Sequence, residues 1–109
     1  MMNCHRLAEE RSLELHREIA RQLERDPARL ERARTRVQAW LREGSVSRGY
    51  AEAWGRLCAG PMEMLLAALR DEGEAARALR QVTPFAGYVE PRRRWQIWRE
   101  VRVRLERHG

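Results

Sequence analysis

The chain contains no lysine: all 22 of its basic residues are arginine. Arginine makes planar, bidentate contacts with carboxylates and phosphates that a lysine ammonium does not. Other absences narrow the function further. No apolar run approaches the roughly 20 residues that a membrane-spanning helix needs. Neither a G-x-x-x-x-G-K-[ST] nor a G-x-G-x-x-G stretch is present, so no Gly-rich phosphate cradle is expected. The two cysteines, Cys4 and Cys58, are too few for a disulfide framework and read as reduced thiols, with Cys58 in the core. The residues His5, His16, His108, Cys4 and Cys58 never fall in metal-ligand pairs, so neither metal nor cofactor is expected. Carboxylate pairs such as Glu9-Glu10 and Glu72/Glu74 sit on charged faces. No nucleophile, base and orienting group come together. An enzyme is not the expectation.

What is present describes a small folded domain. At 109 residues the chain holds one modest core. Hydrophobic residues at 43% with charged residues at 35% fit a folded, water-soluble chain and not a disordered one. The opening Met1-Met2-Asn3-Cys4-His5-Arg6 lacks an apolar signal segment, which predicts a cytoplasmic location.

Proline and glycine cut the sequence into helical lengths. A first helix is predicted from Asn3 to Arg25, with Leu15, Ile19 and Leu23 inward beside Ala8, Ser12, His16 and Ala20, and with Leu7 and Leu13 off the centre of that stripe, placed to extend it or to meet another chain. Asp26-Pro27 reads as an N-cap and first helical residue for a second helix with Leu30, Ala33, Val37, Trp40 and Leu41 inward. Gly44 suits the left-handed position that ends it. Ser45 or Ser47 caps a third helix, Arg48 to Cys58, with Tyr50, Ala51, Trp54, Leu57 and Cys58 inward. Gly60-Pro61 opens a fourth, burying Met62, Leu65, Leu66 and Leu69. A short fifth, Glu74 to Gln81, uses Ala75, Ala78, Leu79 and Val82. Thr83-Pro84 caps one turn, Gly87 closes it, and Glu90-Pro91 opens the last helix. No β-alternating run interrupts the series. The expected fold is all-α, an irregular bundle of about six helices in a single domain.

Charge is concentrated at one end. Residues 1–90 hold 15 arginines against 14 acids, whereas residues 91–109 hold seven against Glu100 and Glu106. That C-terminal segment is a basic amphipathic helix. At about 100° per residue, Ile97, Trp98, Val101 and Leu105 share one arc with Trp95 at its edge, and Arg92, Arg93, Arg99, Arg104 and Arg107 fall on the back. Such a helix can lie across phosphates, or it can be a solvated face pairing with acids on the first two helices.

Two segments stand out together. They are Glu10-Arg11-Ser12-Leu13-Glu14-Leu15-His16-Arg17-Glu18-Ile19-Ala20 and Ala78-Leu79-Arg80-Gln81-Val82-Thr83-Pro84-Phe85-Ala86-Gly87, the latter ahead of Pro91-Arg92-Arg93-Arg94-Trp95. In these the chain resembles a group of small bacterial proteins that begin R-S-L-x-L-H-R and carry L-R-Q-x-[ST]-P-F-x-G. Genes of that group lie beside nucleotidyltransferase- or nuclease-like toxin genes, so the resemblance implies an antitoxin-like role. It carries over no catalytic residue.

Trp and Arg are the residue types that anchor interfaces. The expected function is therefore an antitoxin- or inhibitor-like protein that neutralises a partner protein by direct contact. Phe85, Tyr88, Arg92, Arg93, Trp95, Arg99 and Arg104 are the candidate contact residues. For Phe85 a core plug that orients the last helix and a docking loop both fit. The alternative is a nucleic-acid-binding regulator using the same basic helix, and a second copy of the chain is a further candidate partner.

Overall fold

The apolar periodicity of each segment becomes a helix face, and the prolines and glycines become the joints. The computed structural model describes residues 4–108. Its helices are α1 (Cys4–Arg25), α2 (Leu30–Glu43), α3 (Arg48–Ala59), α4 (Met62–Arg70), α5 (Glu74–Arg80) and α6 (Pro91–His108), with a 3-10 turn, Pro27–Arg29, ahead of α2. The expected start of the first helix at Asn3 lies outside the described residues. Among them no strand occurs, and the all-α bundle of six helices is the architecture. None of the helices is long and apolar enough to cross a membrane.

Helix α1 is the axis of the molecule, packing against α4, α5, α6 and the 3-10 turn, while α2 pairs with α3 and α3 with α4. With neighbours on several sides, α1 buries Leu13, His16, Ile19, Ala20 and Leu23. The expected stripe is rotated: Leu13 is core and Leu15 only half-buried. The core joins Ile19, Ala20 and Leu23 to Leu30, Val37, Trp54, Cys58, Leu65, Leu69, Phe85, Tyr88, Ile97, Val101 and Leu105. Each large side chain fully withdrawn from water contributes about 1.5–3 kcal/mol before entropy is counted. Burial pushes the Cys58 thiol up to about 11, which leaves it an inert apolar filler.

Several local expectations are corrected. Leu41 and Tyr50 are exposed, and Trp40 and Leu57 only half-buried, because α2 and α3 cover each other on one side only. Helix α5 buries Ala76 and Arg80, leaves Ala75 exposed, and stops one residue short of Gln81. Ser47 precedes α3 without a side-chain cap bond. Gly44 does end α2 in the left-handed region, with φ of 70°.

Asp26 makes no side-chain cap either. A contact from 55 residues away reaches the start of α2: the Ala33 N–H donates to the Tyr88 hydroxyl at 3.0 Å, and that hydroxyl donates to the Arg29 carbonyl at 2.5 Å. These two backbone groups are the pair that forms the first rung of α2. A tertiary phenol thus adds its bonds to the two groups of that first rung.

Candidate partner-binding cleft

The segment after α5 cannot continue as a helix, because Pro84 lacks the amide proton and Gly87 sits at φ of 86°. It folds into a turn gripped from three sides. The Arg36 Nη1 donates to the carbonyls of Pro84 and Ala86, both at 3.0 Å, and Gln22 donates to the Tyr88 carbonyl at 3.2 Å. Phe85, 1% exposed, meets Trp54 and Tyr88 edge-on, with ring centroids 5.8 and 5.1 Å away. Trp54 in turn donates its indole N–H to the Leu79 carbonyl at 3.1 Å.

Helix α1 grips the same turn through His16. The imidazole Nδ1–H donates to the Ser12 carbonyl at 2.7 Å, so Nε2 is the acceptor and receives the Thr83 hydroxyl at 2.8 Å. Thr83 Oγ1 accepts the Phe85 N–H at 3.1 Å. Burial lowers the imidazole to about 4; the Ser12 bond opposes the shift, and the Arg80 charge adds to it. His16 is therefore neutral at physiological pH. It is a structural link with both nitrogens used.

Over this link lies an open cleft of about 390 Å³, walled by α1, the turn and α6. Arg11, Ser12, Leu15 and His16 come from the first motif, Arg80, Thr83, Phe85, Ala86 and Gly87 from the second, and Arg94 and Trp98 from α6. The two segments that carry the resemblance thus share one hollow. Its charged lining residues are Arg11, Arg80 and Arg94, with no acid among them. The Arg11 guanidinium lies 4.4 Å from the Trp98 ring centroid, a cation–π contact that spans the cleft from α1 to α6. Arg80 is buried and donates to the Ala68 and Asp71 carbonyls at 3.3 and 2.6 Å, closing the C-terminal end of α4. A larger hollow of about 540 Å³ is lined by Gln96, Arg99, Glu100, Val103, Arg104 and Arg107 of α6 alone. One helix cannot enclose a ligand, so this is open outer surface.

The candidate contact residues separate into three groups. Phe85 and Tyr88 are core, at 1% and 4% exposure, and Phe85 lies under the floor of the cleft. Arg93 and Arg104 do not lie on a free back of α6. Arg93 reaches Glu18 at 3.5 Å and Glu100 at 3.4 Å, and Arg104 reaches Glu10 and Glu14 at 3.1 and 3.2 Å. They fasten α6 to α1, the pairing with the first helix that the charge pattern allowed. Burial pushes the Glu18 carboxyl up, but Arg21, Arg93 and Arg25 outweigh it and hold the group below its usual range. The remaining residues, Arg92, Arg99 and Trp95, are exposed, Trp95 by 57%. Trp98, expected inward, is 39% exposed on the cleft wall.

Sequence reasoning missed Arg11, Arg94 and the His16–Thr83 link as parts of one place. The available signal was that both motifs contain Arg beside a hydrogen-bonding residue. Among the described residues no cluster of three or more His, Cys, Asp or Glu could hold a metal ion. Compared with protein-family models, curated proteins and solved structures, the chain matches none.

Proposed function

We propose that the protein is a binding protein of inhibitor or antitoxin type, which neutralises a partner protein by direct contact. Its contact surface is the arginine-lined cleft together with the adjoining flank of α6 that bears Trp95 and Trp98. One observation carries this reading: a concave site with three arginines, an exposed tryptophan wall and no lining acid. Large aromatics and arginines supply most of the binding energy in protein interfaces, and an apolar floor excludes water from their contacts. The partner class that the sequence resemblance implies is a nucleotidyltransferase- or nuclease-like toxin. Blocking such a partner by contact requires position and area, not chemistry by the inhibitor.

The test is affinity purification of the tagged protein from its host at moderate salt, with identification of the proteins and nucleic acids recovered. Wild type is expected to bring down one protein in near-stoichiometric amount, and Trp95→Ala to lose it. Recovery of nucleic acid alone would overturn the proposal in favour of the regulator reading. That second reading draws on Arg92, Arg99 and Arg107, which are exposed and make no ion pair among the described residues.

A further inference from the structure

Several arginines of α1 and α6 are held by carboxylates; others, Arg92, Arg99 and Arg107 among them, are unpaired among the described residues but lie outside the cleft. Arg17 pairs with Glu14, Arg21 with Glu18, Arg93 with Glu18 and Arg104 with Glu10. Arg11 and Arg94 differ: among the described residues neither forms an ion pair or a side-chain hydrogen bond, and both line the cleft. The Arg11 Nε is buried without a partner, and so is the Nε of Arg80 at 3% exposure. Donors left unmet in this way are costly unless something completes them.

The cleft offers little to a ligand that donates. His16, Thr83 and the Ser12 carbonyl satisfy one another, and the Pro84 and Ala86 carbonyls are taken by Arg36. What remains is cationic donors over an apolar floor of Ile19, Phe85 and Val89, with half-buried Leu15 beside them. Small residues, Ala8, Ala86 and Gly87, complete the lining. Guanidinium and carboxylate match as planar forks. A singly charged carboxylate also loses less hydration against such a floor than a doubly charged phosphate does.

We infer that the cleft receives an acidic side chain of the partner protein set beside an apolar or aromatic one, the carboxylate held between Arg11 and Arg94 and the apolar group seated on Leu15 and Trp98. This rests on the reading that the protein works by binding another protein. Entry of the carboxylate exchanges the Arg11–Trp98 contact for an Arg11–carboxylate pair and frees the Trp98 face for the neighbouring group.

The experiment selects binders from a displayed library of random seven-residue peptides on the wild type, Arg94→Gln and Arg11→Gln proteins. Arg94 has no ion pair to lose, so its variant folds as the wild type does, which circular dichroism verifies. Peptides enriched on wild type are expected to carry Asp or Glu next to an aromatic or aliphatic residue. Exchanging that acid for its amide should weaken binding at least tenfold by fluorescence anisotropy, and Arg94→Gln should do the same. Acetate should displace the peptide at lower concentration than inorganic phosphate.

Enriched peptides without an acid, equal binding to Arg94→Gln, no enrichment at all, or stronger displacement by phosphate would each overturn the inference. The partner-binding reading falls separately, if affinity purification recovers no protein. It survives a failed peptide selection if the recovered partner is still lost with Trp95→Ala.

Discussion

Thr83 Oγ1 lies 2.8 Å from His16 Nε2, joining residues 67 positions apart. With the Gln22 bond to the Tyr88 carbonyl, it ties α1 to the turn that starts the chain's path into α6. Replacing Thr83 by Val keeps the shape and removes the donor to Nε2 and the acceptor for the Phe85 N–H. The expected cost is about 1–3 kcal/mol, since buried groups are left unpaired. Thr83→Ser should recover most of it. Urea melts of the three proteins measure the difference.

The same imidazole makes stability depend on pH. With its native pKa lowered to about 4 from 6.5, His16 takes up a proton in the unfolded chain before it does in the native one. Stability should therefore fall as pH drops from 6.5 towards 4 and lose nothing further from this group below that. The full contribution is about 3 kcal/mol, at 1.36 kcal/mol per unit. His16→Gln should flatten that part of the profile in melts at pH 7, 5.5 and 4. An unchanged slope would show that His16 is not the group responsible.

Phe85→Ala empties space between Trp54 and Tyr88. The expected loss is about 3–5 kcal/mol, the range for a fully buried Phe. Differential scanning calorimetry of the free protein should show a clearly lowered midpoint. Full stability combined with failure to bind the partner would instead make Phe85 a contact residue.

Tyr88→Phe isolates the hydroxyl from the ring. The ring keeps its contact with Phe85, and only the bonds to the Ala33 N–H and Arg29 carbonyl disappear. A loss of about 1 kcal/mol is expected, because the two backbone groups can pair with each other once the phenol is gone. Hydrogen exchange at Ala33 should quicken while the exchange of α6 amides is unchanged.

The arginines of α6 should behave as two sets. Converting Arg92, Arg99 and Arg107 to Gln should leave stability within about 0.5 kcal/mol of wild type, as exposed substitutions do. Converting Arg93 and Arg104 removes the links to Glu18, Glu10 and Glu14 and should cost up to about 1 kcal/mol each. If duplex DNA binds, the first set should lower the slope of log K against log salt by about 0.9 for each phosphate no longer neutralised. A slope lowered only by the second set would place the bound phosphates on the α1 side.

The sequence was sufficient for the element list. Pro27, Pro61, Pro84 and Pro91 with Gly44, Gly60 and Gly87 set the joints through backbone chemistry that acts within a residue or two. The 3.6-residue period made each segment between them a helix. Its reach ends there, because periodicity defines a stripe but not how far each helix turns about its axis. Neighbours set that rotation: Leu13 of α1 is buried, and α1 claims Arg93 and Arg104 while Trp95 and Trp98 turn towards water. Capping divided in the same way, since the Tyr88 hydroxyl bonds the start of α2 where Asp26 makes no cap bond. The cleft belongs wholly to the tertiary level. Its three arginines lie on α1, α5 and α6, and only the folding of the turn onto His16 leaves them around one hollow without a carboxylate among them.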